Sequence, residues 1–119
     1  MFETSESHDK PEFRPLHVAR RREGLYEAAK EMVADLSNWT VVKADDPACT
    51  LHCERKGGPL GGLLGGLLGG TSKVTVRVEG PEGLPSSTIH VRAEAQGGLL
   101  SNEKSVVAEF MRPFTRRVC

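Results

Sequence analysis

Apolar residues recur along this chain at two different periods. Leu25, Ala28, Ala29, Met32, Val33 and Leu36 fall at i, i+3, i+4, i+7, i+8 and i+11. That spacing is one stripe of a 3.6-residue repeat and predicts an amphipathic helix, entered after Arg20–Glu23 and ended at Ser37-Asn38. Elsewhere the period is two. Cys49, Leu51 and Cys53 alternate with Thr50, His52 and Glu54; Val74, Val76 and Val78 with Thr75, Arg77 and Glu79; Ile89, Val91 and Ala93 with Thr88, His90, Arg92 and Glu94. Alternation of this kind predicts strands with one apolar and one charged face, hence an antiparallel sheet covered on one side.

Further elements follow from residue type. Trp39 to Lys43 reads as a strand on β-branched and aromatic content. Asp45-Asp46-Pro47 reads as a turn, since Asx side chains bond nearby backbone and proline presets φ. Pro11 to Val18 holds two prolines, which confines any strand there to a sheet edge. Val106, Val107, Phe110, Met111 and Phe114 stripe a last helix, capped by Ser101 or Asn102 and expected to kink or end at Pro113. The expected fold is an α+β two-layer sandwich, a mostly antiparallel sheet of 4–5 strands with two helices on one face. Residues 1–10 read as a disordered tail, and 11–119 as a single domain interrupted by a loop at 57–71.

That loop is the chain's most unusual stretch. From Gly57 to Gly70 it repeats Gly-Gly-Leu-Leu, without charge, and carries Leu60, Leu63, Leu64, Leu67 and Leu68; Gly97-Gly98-Leu99-Leu100 repeats the tetrapeptide. Each glycine costs a helix about 1 kcal/mol against alanine. Each leucine gains roughly 1.5–3 kcal/mol on full burial. The segment is therefore expected to be mobile alone and ordered under an apolar cover, whether a protein partner, a second copy or a bilayer surface flanked by Arg55, Lys56 and Lys73. A tolerated low-complexity insertion is the plainer explanation. No phosphate-loop Gly-Lys-Ser/Thr follows the glycines.

Charge and chemistry narrow the classes. Sixteen basic and sixteen acidic residues cancel among 119, which argues against a nucleic-acid partner. The N-terminus lacks a secretory pattern and no apolar run spans a bilayer, so a cytoplasmic location is expected. Cys49 and Cys53 would lie roughly 13 Å apart on one strand, too far to bridge, so reduced thiols are expected. His52 and His90, joined by His17 if the first strand is in register, share the polar sheet face and could hold zinc, but the neighbouring Arg77, Arg92, Glu54, Glu79 and Glu94 fit cross-strand ion pairs better. Arg20, Arg21 and Arg22 precede a helix N-terminus, where an anion would be favoured, although solvated arginines or contacts with the acidic N-terminal tail account for them better. No nucleophile elbow or paired carboxylate is present, and no metal or cofactor is expected.

The sequence thus points to a non-enzymatic interaction or scaffold-type module, self-associating, with Leu60, Leu63, Leu64, Leu67, Leu68, Leu99 and Leu100 as an adhesive surface for a protein partner or peripheral membrane contact. The alternatives are a lipid or small apolar ligand carrier, with a cavity lined by Trp39, Leu51, Val76, Val91 and Phe110, and a metal-dependent enzyme on the histidine face. The carrier resembles helix-grip folds in architecture alone.

Overall fold

The structure is a computed structural model that describes residues 1–56, 71–96 and 103–118. Its elements in chain order are β1 (Phe2–Glu3), a 3₁₀ turn (Pro11–Phe13), β2 (Leu16–Val18), α1 (Arg22–Asp35), β3 (Trp39–Asp45), β4 (Thr50–Lys56), β5 (Thr71–Glu79), β6 (Ser87–Gln96) and α2 (Glu103–Val118). All strand pairs are antiparallel. The order across the sheet is β1-β6-β5-β4-β3, with β2 also paired to β6. β3 to β6 form a meander, and α1 crosses from the β6 edge to the opposite edge at β3.

The fold is the expected α+β sandwich, with six strands rather than four or five. The additional strand is β1, which lies inside the stretch expected to be a disordered tail. Phe2 pairs with Ala93 and Glu3 with Arg92. The Thr4 N–H donates to the Val91 carbonyl at 3.0 Å, and the Val91 N–H donates to Thr4 Oγ1 at 3.2 Å. Phe2 sets its ring edge-on to Phe13 at 5.3 Å. An open edge of β6 offers backbone partners, and an aromatic contact secures the arriving segment.

Both helices turn their apolar stripes to one sheet face. Leu25, Ala28, Ala29, Met32 and Val33 of α1 are buried, and so are Val106, Val107, Phe110, Met111 and Phe114 of α2. They meet Leu51, Cys53, Val74, Val76, Val78, Ile89, Val91 and Ala93, the inward positions of the alternating strands. Trp39, Leu51, Val76, Val91 and Phe110, named above as cavity lining, belong to this same packed core and are at most 7% exposed. Of the two outcomes expected at Pro113, a kink or an end, the end does not occur: helix α2 continues to Val118. Proline removes one backbone bond within the helix. Phe114 and Val118, buried beyond it, gain enough apolar contact to keep the last turns helical.

Two deviations set the geometry at the β3 edge. Asn38, with φ +67°, turns the chain from α1 into β3. Register then slips between Val41 and Lys43, leaving Val42 as a bulge without a partner on β4. Asp45, expected in the turn, closes β3 opposite Thr50, and Cys49 sits in the turn with φ +48° rather than on the strand.

Candidate functional site

The leucines expected to form an adhesive surface, Leu60, Leu63, Leu64, Leu67, Leu68, Leu99 and Leu100, lie outside the described residues. The other expected sites can be located. Arg21 is the N-cap of α1 without a side-chain capping bond, and Arg22 is its first residue. The Ser87 hydroxyl donates to the Arg20 carbonyl at 2.7 Å, tying this entry to the start of β6. Arg20 and Arg21 are exposed, whereas the Arg22 Nε is buried without a hydrogen-bond partner among the described residues. Its Nη2 stands 3.8 Å from Glu23 Oε1.

The histidines do share the outer sheet face but do not converge. His17 bonds Thr88 Oγ1 at 2.8 Å and Glu6 Oε1 at 2.6 Å. His90 lies opposite Arg77 and pairs with Glu79 at 3.2 Å. His52 lies opposite Thr75, which in turn faces Arg92. Charged and hydroxyl side chains therefore separate the rings, and no group of metal-ligating residues occurs among the described residues. Cys49 and Cys53 are buried free thiols. Burial pushes the Cys53 thiol up to about 12, and burial likewise raises Cys49. Protonated, enclosed thiols are poor nucleophiles.

The feature that sequence patterning did not isolate is β3 as the free edge of the sheet. β4 is its sole strand partner among the described residues. Val41 is 38% and Val42 65% exposed, although both are large apolar side chains in a strand. Thr40, Lys43 and Ala44 are exposed as well. Beside the bulge, the outer face sinks into a depression of about 370 Å³ lined by Val42, Lys43, His52, Glu54, Lys73 and Thr75, with Cys53 and Val74 at its base.

Backbone polarity along β3 follows from two bonds. The Lys56 N–H donates to the Asn38 carbonyl at 2.9 Å, and the Val78 N–H donates to the Cys49 carbonyl at 3.0 Å. In an antiparallel ladder, successive residues direct their N–H and C=O groups to opposite sides. Thr50, His52 and Glu54 therefore turn toward β3, and their partners Asp45, Lys43 and Thr40 turn back toward β4. Val41 and Ala44 are left aiming their backbone groups away from the sheet. An exposed edge of this kind is a template for another strand.

Comparison with protein-family models, with curated proteins and with solved structures finds no match.

Proposed function

We propose that this domain acts by contact rather than by chemistry, as a non-enzymatic, self-associating interaction module. The observation that carries the reading is the β3 edge, where Val41 and Val42 are exposed beside backbone groups directed away from the sheet. Strand addition at such an edge supplies affinity through main-chain hydrogen bonds and specificity through alternate side chains. The inner sheet face is already occupied by packed core, which favours contact at the rim over a ligand held between sheet and helices.

Composition extends the same reading. The sequence between Lys56 and Thr71 supplies Leu60, Leu63, Leu64, Leu67 and Leu68, and that between Gln96 and Glu103 supplies Leu99 and Leu100. Sedimentation velocity on the full chain, on V42K and on a chain lacking residues 58–69 tests it. Association that either change weakens, with folding retained by circular dichroism, supports the module. Wild-type behaviour in both variants contradicts it.

A further inference from the structure

We propose that β3 is self-complementary and pairs with β3 of a second copy of this chain, antiparallel about a two-fold axis at Ala44, with Lys43 of each copy opposite Asp45 of the other. The inference rests on the contact reading above and names its occupant.

The charges come first. Lys43 lies opposite His52 and Asp45 opposite Thr50, so both side chains stand on the outer face. Neither forms an ion pair among the described residues. Two opposite charges, two residues apart on one face of the edge strand, do not pair with each other here, unlike Arg77 and Glu79 on β5, which stand 2.9 Å apart. Across a two-fold axis at the residue between them, Lys43 and Asp45 can pair twice over. Pairing residue 43 with 45 and 44 with 44 brings each lysine directly opposite an aspartate, at the ~5 Å Cβ spacing of cross-strand neighbours.

The backbone supports the same register. Ala44 is the residue past the bulge whose N–H and C=O point away from β4, so two copies meeting at Ala44 exchange a reciprocal pair of hydrogen bonds. Its small, exposed side chain lies on the inner face, opposite Leu51, and keeps the axis uncrowded. Shifting the axis to Lys43 would oppose two lysines. Shifting it to Val42 would set Lys43 against Val41 and place the bulge in the new ladder. A bulge and a lysine often protect an edge from pairing. Here the bulge blocks only the first half of β3, and the following Lys-Ala-Asp turns the lysine into half of a matched set. The resulting contact is isologous, as a two-fold interface requires.

Charge reversal tests it. K43D, D45K and the double variant K43D/D45K are compared with wild type by sedimentation equilibrium over a wide concentration range, with folding followed by circular dichroism. The wild-type chain is expected to dimerise. Each single reversal should weaken the dimer at least roughly tenfold, since two attractive pairs become two repulsive ones. The double reversal, which restores opposite charges in the same register, should return the affinity to near wild type. A44C in a C119S background provides a second readout, an intermolecular disulfide at the axis under mild oxidation. A chain monomeric at every concentration overturns the dimer. Association indifferent to both reversals, with no Ala44→Cys cross-link, overturns this register while leaving contact through another surface in place. Recovery in the double variant together with the cross-link establishes it.

Discussion

Trp39 donates its indole N–H to Oε1 of Glu109 at 2.7 Å, joining the first residue of β3 to the middle of α2. The same carboxylate receives Arg55 Nη2 at 2.8 Å on Oε2. Trp39 and Arg55 are cross-strand partners, so one glutamate grips two neighbouring strands and the helix above them. Phe110 packs 6.0 Å from the Trp39 ring and stacks on Phe114 at 4.9 Å. The start of the edge strand is thereby anchored to the core, while Thr40 to Ala44 are exposed among the described residues.

Glu109→Ala should destabilise the fold by about 2 kcal/mol in urea unfolding, because it strands a largely buried guanidinium and an indole N–H. Trp39→Phe, which removes the donor and keeps a ring, should cost less. Equal stability of E109A and wild type would show that the grip contributes nothing.

Two glycines should respond oppositely to alanine. A Cβ at Gly24, inside α1, meets nothing within 4 Å, so Gly24→Ala should stabilise by about 0.5–1 kcal/mol through helix propensity. A Cβ at Gly80 would stand 2.7 Å from the Ser86 carbonyl oxygen and 2.9 Å from Ser87 Oγ. Ser87 also holds the entry to α1, so Gly80→Ala should force the β5–β6 turn apart at a cost of about 1–3 kcal/mol. Thermal melts of the two variants should move in opposite directions.

Much of this framework is legible in the sequence. The stripe from Leu25 to Val33 and the alternation through Leu51, Val76 and Val91 each report a local period, and burial follows it. What periodicity misses is set by distant residues. Phe2–Glu3 is too short to show a pattern and becomes a strand because β6 presents an open ladder. Tyr26 stands beside the α1 stripe, yet it is buried with its hydroxyl on Asp46. Pro113 obeys its local rule only until Phe114 and Val118 find the core. The exposure of Val41 and Val42 depends on strand order, which no window of residues contains.

The Tyr26–Asp46 bond, 2.6 Å long, should leave a signature in acid. The phenol hydroxyl, and after it Lys30, hold the Asp46 carboxyl below its ordinary 3.8. A carboxylate depressed in the folded state stabilises fully above its unfolded value and loses that contribution as pH falls through the folded one. Tyr26→Phe should therefore lower stability near neutral pH and narrow its difference from wild type as pH drops below about 3.8. A constant difference between the two proteins across that window would contradict the coupling.

Thiol chemistry offers a check on packing. With its thiol pushed up to about 12 by burial, Cys53 should resist iodoacetamide at mildly alkaline pH in the native protein and react at once in denaturant. Peptide mass mapping of a C119S chain reads this directly. Rapid native alkylation of Cys53 would mean that the helices open readily over β4.

Pairing of β3 with a second copy would sequester the Ala44 amide, and hydrogen exchange at that residue reports it. Exchange there should be fast in dilute protein and slow progressively as concentration rises, while Leu51 and Val76 in the interior stay protected throughout. An Ala44 amide that exchanges freely at every concentration, including those where the chain is seen to associate, would contradict it.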